Sequence, residues 1–223
     1  MLKKIALVFV LAVVTLLSLL FYYGTDSTPD HQALKKQLKV SKLLVNPNRP
    51  LPQFSLIDHN GVVFDNDRLK NQWSLVFFGY THCPDVCPTG LMDMAMLEQV
   101  LENEKIQVPK VVFITLDPKR DTPALLKTYL THFSEDFLGV SGDTNQVNQL
   151  IRPFGTFYEF VMYSGDKQVV LGQSLPEGVE DYHVNHTAWI YLISPDGEIF
   201  AGFPTPHKPK DMAKDIQLIF NHQ

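Results

Sequence analysis

The sequence predicts an α/β domain with a mixed central sheet, opened by an added N-terminal β-hairpin and carried on a single N-terminal transmembrane helix. Three observations lead there. Short apolar runs of strand length alternate with amphipathic segments of helical period. The chain ends in a strand, a tight turn, a second strand and a helix. A long uncharged apolar stretch precedes all of these.

That stretch runs from Ile5 to Tyr23, directly after Lys3 and Lys4. It is close to the ~20 residues needed to cross the hydrocarbon core of a bilayer. It ends in Phe21, Tyr22 and Tyr23, aromatics suited to the membrane interface, where a cleaved signal would carry a small-residue cleavage site. Residues 1–24 are therefore expected to stay in place as an anchor. The two lysines hold the N-terminus in the cytoplasm, which puts the rest of a single-pass chain in the periplasm of a bacterial inner membrane. Residues 25–49 mix polar, basic and apolar residues with two prolines and no sustained period, and read as a tether with room for a short helix.

Residues 50–223 form the folded domain. In "FSLIDHNGVVFDN", Asn60-Gly61 between two apolar runs signals a hairpin with a two-residue turn. "SLVFFGY" (74–80) reads as a buried strand, and Pro88 to Glu104 carries Leu91, Met94, Leu97 and Leu101 at helical spacing. "KVVFITLD" (110–117) is a second buried strand. The helix "TPALLKTYLTHF" follows, with Thr122 as N-cap and Pro123 in its first turn. A third amphipathic segment, "DTNQVNQLIRPFG", leads into the strand "FYEFVMYSG" and a loop containing Gly172, Pro176 and Gly178. "TAWIYLISPDGEIFAGF" is a hairpin about a Pro-Asp-Gly turn, and "KPKDMAKDIQLIF" is the closing helix.

With 45% hydrophobic residues the chain can bury a core. A net charge of −5 without a dense Lys/Arg cluster excludes nucleic acid as a partner. No nucleophile–base triad, phosphate-binding loop or pair of catalytic carboxylates is present in the sequence, so no residue is assigned a catalytic role.

The chemistry concentrates in "THCPDVCP", which holds both cysteines, Cys83 and Cys87. Two thiols four positions apart in an oxidising compartment form a disulfide, a metal site, or each at different times. Both prolines cannot start one helix. Beginning it at Pro88 leaves Cys83 to Val86 as a loop and sets Cys87 at the helix's positive end, which predicts Cys87 as the more acidic thiol. Two thiolates suit Cu(I) and also Zn(II), but a closed site needs a third donor. Of the eight histidines, His82 points away from its neighbour Cys83 in an extended segment. His183 and His186, in "DYHVNHTAW", precede a strand, and His186 is nearer to it. Met94 belongs to the core stripe, whereas Met92 and Met96 share another helix face where an auxiliary copper role stays open. In "TLDPKRDTP" the charges are read as holding the loop.

These residues resemble the Sco/SenC family of membrane-anchored, thioredoxin-like copper proteins of cytochrome c oxidase assembly. The matching stretches are "PLPQFSLIDHNG", "VFFGYTHCPDVCP", "ITLDPKRDTP" and "DYHVNHTAWIYLISPDG", together with the N-terminal anchor. The resemblance implies a thioredoxin-like core and one copper ion per chain, as Cu(I) and/or Cu(II), bound by Cys83, Cys87 and His186. It also implies a redox-active Cys83–Cys87 disulfide in the metal-free form. Asn185 stands where the family often has Asp, which removes a negative charge beside the metal.

The implied function is a metallochaperone, not an enzyme, delivering copper to the CuA centre of cytochrome c oxidase subunit II. A second periplasmic copper carrier or a thiol reductase would be a further partner. The alternatives are a thiol–disulfide oxidoreductase that reduces the oxidase's copper-site cysteines, or a redox or copper sensor. Only the carrier strictly requires His186.

Overall fold

The uninterrupted apolar run of β4 (Ser74–Gly79) is buried at every position, as a strand covered on both faces must be. The structure, a computed structural model, describes residues 31–46 and 49–222. The expected membrane helix lies outside the described residues, among which no helix is long and apolar enough to cross a membrane.

β4 pairs in parallel with β5 (Lys110–Thr115), and β5 with β6 (Leu138–Ser141). On the far side of β4 the sheet turns antiparallel through β10 (Ile190–Ile193), β11 (Ile199–Phe203) and β1 (Lys42–Leu43). Beyond β6 lie β2 (Ser55–Asp58) and β3 (Val63–Asp65), also antiparallel. The order is β1-β11-β10-β4-β5-β6-β2-β3, so the predicted mixed sheet and its N-terminal hairpin are present.

The turn chemistry differs from the expected two-residue form. Gly61 N donates to Asp58 O (2.9 Å), Asp58 N donates to Val62 O (2.8 Å), and Gly61 takes φ +80°. This is a three-residue loop closing on a left-handed glycine, and Ser194 with Gly197 repeats it in the β10–β11 hairpin. The Asp58 carboxylate accepts from the amides of Asn60 (2.9 Å) and Val62 (3.0 Å), which favours the longer loop.

The main helix, α2 (Val86–Asn103), buries Leu91, Met94, Leu97 and Leu101 and packs on α5 (Pro209–Phe220). It begins two residues before the predicted start at Pro88. The first four amides of a helix have no intrahelical acceptor, so a proline at the third position forfeits no hydrogen bond. α3 (Pro123–Thr131) starts as predicted: Leu125 N donates to Thr122 Oγ1 (3.2 Å). α4 (Thr144–Ile151) is capped by Asp143, whose Oδ1 accepts from Asn145 N (2.9 Å) and Gln146 N (3.2 Å).

Two features go beyond the linear reading. Residues of the expected tether form α1 (His31–Gln37) and β1, and these dock on the domain. The buried Asp215 carboxylate of α5 accepts from the amides of Lys39, Val40 and Ser41, at 2.8–3.1 Å. The segment between "FYEFVMYSG" and "TAWIYLI" is not all loop. β7 (Tyr158–Ser164) pairs with β8 (Lys167–Gly172) and with β9 (His183–His186), making a second, three-stranded sheet of order β8-β7-β9. β8 escapes a periodicity search because its first four residues are exposed on both faces.

Candidate metal centre

The site begins where β4 ends. Gly79 is required there, because a Cβ would stand 2.7 Å from Phe113 Cε2 and 2.9 Å from Cys87 Sγ. After it the chain turns tightly: Cys83 N donates to Tyr80 O (3.3 Å), and Cys87 N donates to Cys83 Sγ (3.4 Å). Cys83 thus folds back over the first turn of α2. Both cysteines are free thiols in this structure, Cys83 8% exposed and Cys87 fully buried.

The third group arrives from β9. Successive residues of a strand face opposite sides, so Val184 and His186 share one face while His183 and Asn185 share the other. His186 Nε2 lies 3.3 Å from Cys87 Sγ, and Nδ1 lies 3.2 Å from the Thr187 carbonyl oxygen. In the tautomer with the proton on Nδ1, donated to that carbonyl, the Nε2 lone pair is free to bind a metal ion held by the sulfurs. The rings of Tyr80 and Phe77 meet the imidazole edge-on, with centroids 6.1 and 6.4 Å away. Cys83, Cys87 and His186 bring three ligand atoms within 4.8 Å of one another.

The remaining sequence candidates lie elsewhere. His183 packs against Tyr163 (5.6 Å between centroids) on the other face of β9. His82 is half exposed, with Nδ1 3.0 Å from Thr81 Oγ1. Met92 and Met96 are exposed on α2, and Met94 is buried in the core.

The acidity of the thiols is the reverse of the expectation. Cys83 is held well below the ordinary thiol value, first by the Cys87 S–H donated to it, then by His186 and by the amides of Asp85 and Cys87. Cys87 is pushed up, first by burial and then by its partner sulfur. Cys87 is indeed in the first turn of the helix, but its amide points at Cys83 Sγ. The positive helix end therefore stabilises charge on Cys83, and the remaining proton stays on the more deeply buried sulfur.

Linear reasoning named the charges that frame the site but not the partners they hold. Asp121, fully buried, accepts from Thr81 Oγ1 (2.6 Å), Thr81 N (3.0 Å) and Thr115 Oγ1 (2.6 Å). Asp117 accepts from Tyr182 Oη (2.8 Å) and pairs with Arg120. These charges do hold a loop, as "TLDPKRDTP" suggested. Tyr182 carried no local signal.

Two thiols and an imidazole form a soft donor set with no carboxylate, suited to a thiophilic ion. Bonds of about 2.0–2.3 Å to a central ion place donors roughly 3.5–4 Å apart, a spacing the trio can meet with small side-chain shifts.

Known proteins share this arrangement of chain. The SCO2-like protein of Rickettsia conorii is 39% identical over 164 residues, covering 74% of each chain. The copper-bound structure of Bradyrhizobium japonicum ScoI matches at 33% identity with a TM-score of 0.61, covering 75% of this chain and 98% of that one. The copper-bound structure of Arabidopsis thaliana ScoI matches at 26% identity with a TM-score of 0.65, covering 77% and 98%. The SCO1/SenC family model matches residues 45–221, a span that takes in the thiol loop, the Asp117–Asp121 segment and His186, and the chain is a member of the SCO1/SenC family.

Proposed function

We propose that this protein is a membrane-anchored copper carrier. It holds one copper ion on Cys83, Cys87 and His186 and passes it, on the periplasmic side of a bacterial inner membrane, to the CuA centre of cytochrome c oxidase subunit II. In this reading residues 1–24 are the anchor and 50–223 the copper-binding domain. The observation that carries it is the convergence of the two thiols on an imidazole from a strand 99 residues away in sequence. Thiol exchange has no need of that imidazole. The copper-bound ScoI relatives support the choice of ion.

Cys83, the less deeply buried and more acidic sulfur, is suited to bind first as a thiolate, and the more deeply buried Cys87 then gives up its proton as the second sulfur engages. The same asymmetry favours a second reading, a thiol–disulfide oxidoreductase with Cys83 as attacking and Cys87 as resolving thiol.

Metal analysis of the purified domain, before and after His186→Ala, separates the two. The carrier reading expects Cu(II) binding to be lost and Cu(I) affinity to fall in His186→Ala, with His183→Ala close to wild type. If His186→Ala cells still assemble a fully metallated oxidase at low copper while Cys83→Ser and Cys87→Ser cells do not, the reductase reading replaces it.

A further inference from the structure

Between β5 and α3, one short segment touches both halves of the metal centre without contributing a ligand. Its first arm is Asp121, which holds the backbone amide and hydroxyl of Thr81, two residues ahead of Cys83. Its second arm reaches the lead-in to β9. Arg120 Nη1 donates to the Tyr182 carbonyl oxygen (3.1 Å), and the guanidinium lies 3.7 Å from the centroid of the Tyr182 ring. The same guanidinium pairs with Asp117, whose other oxygen accepts from the Tyr182 hydroxyl. Tyr182 is thus gripped at its carbonyl, its ring face and its hydroxyl. It is buried and immediately precedes the strand that ends in His186.

The second grip matters because of where β9 sits. Among the described residues it is an edge strand, paired with β7 only, and the face shared by Val184 and His186 is the one that carries the imidazole to the thiols. The two thiols are tied to each other across only three intervening residues. The imidazole has no such local tie, and its separation from them is set only by long-range contacts. From this side β9 is held at its start by the Arg120–Tyr182 contact, along its length by the Tyr80 side chain bonded to the Val184 backbone, and at its end by the Phe77 and Tyr80 rings against His186.

We propose that Asp117, Arg120 and Asp121 are positioning residues that fix the imidazole-to-thiol separation, and that the Arg120–Tyr182 arm thereby sets the protein's preference between Cu(II) and Cu(I). This rests on the copper reading above. Cu(I) can be held by two thiolates alone, whereas Cu(II) favours nitrogen donors and higher coordination. Loosening β9 therefore removes Cu(II) binding while leaving most Cu(I) binding. A general loss of stability would weaken both.

The test uses Arg120→Gln combined with Asp117→Asn, so that no buried carboxylate is left without its partner. Affinities for Cu(I) and Cu(II) are measured separately by chelator competition, with amide exchange of β9 in the metal-free protein as a reading independent of copper. The expected result is a Cu(II) affinity reduced by about 10–100-fold, the scale of outer-shell effects, with Cu(I) affinity nearly unchanged and faster exchange at Val184 to His186. Tyr182→Phe keeps the stacked ring and drops one hydrogen bond, and should show the same selective loss at smaller size; it carries the test if the double variant does not fold. Equal losses for both ions, or unchanged Cu(II) affinity and unchanged β9 exchange, would overturn the clamp while leaving the carrier intact. Wild-type protein that bound neither ion would overturn the carrier reading, and the clamp's effect on copper with it.

Discussion

Gly79, beside the Cys87 sulfur, and His207, beside Phe77, show how tightly single positions are constrained. At Gly79 a methyl group meets an aromatic carbon and the Cys87 sulfur at under 3 Å, and neither is the loose end of a flexible chain. Overpacking of this kind costs about 1–3 kcal/mol. Gly79→Ala should lower the melting temperature and, by displacing Cys87, weaken Cu(I) binding; a variant with wild-type affinity would show that the sulfur has room to move. His207 is almost wholly buried beside Phe77, with Asp93 Oδ2 3.9 Å from its Nδ1. Burial holds its pKa below the ordinary value, and the Asp93 charge only partly offsets this. The unfolded chain therefore takes up a proton that the fold resists. The stability owed to the neutral imidazole is complete above about pH 6.5, the unfolded value, and is lost as pH falls through that value toward the folded one. Urea melts of the metal-free protein at pH 7.5 and 5.5 should differ more for wild type than for His207→Gln; equal differences would assign the pH dependence to other groups.

Among the elements, β9 is decisive, since strand alternation sends His186 to the thiols and His183 to Tyr163. A loop would have left both imidazoles available. The segment from α1 to β1 is the other element whose placement rests on a few bonds. Its three consecutive amides at Lys39, Val40 and Ser41 all converge on Asp215, joined by the Ser41 hydroxyl at 2.8 Å. Hydrogen bonds to a charged acceptor contribute about 1.5–3 kcal/mol each. Asp215→Asn replaces that acceptor with an amide that must turn one donor toward other donors. Amide exchange at Lys39 to Ser41 should then rise by roughly an order of magnitude or more while β4 and β5 stay protected. Uniform acceleration across the sheet would mean that the segment and the domain unfold as one unit.

At the scale of the whole molecule, the main sheet and α2 present the thiols, and the small second sheet presents the imidazole. Both sulfurs must be thiolates to hold an ion, so a Cys83–Cys87 disulfide and bound copper exclude each other. Oxidised protein should take up Cu(I) only after reduction; full loading of the disulfide form would remove both thiols from the ligand set. What the sequence determined by itself is whatever local pattern can encode. The buried strands β4 and β5, the capped α3, the two predicted hairpins and the gathering of the two thiols at the start of a helix follow from runs, periods and turn residues within a dozen positions. Resemblance to the Sco family singled out His186 in advance, although the residues around it pointed to a loop. Tertiary structure decided the rest. Which thiol is acidic depends on where the Cys87 amide points and which sulfur is deeper. Which histidine faces the sulfurs depends on a strand whose pairing partner, β7, lies more than twenty residues earlier. The Tyr182 hydroxyl reaches the Asp117 carboxylate across 65 positions. Interactions of that range leave no periodic trace in the chain, because each is made by a single pair of residues that only the folded sheet brings within reach.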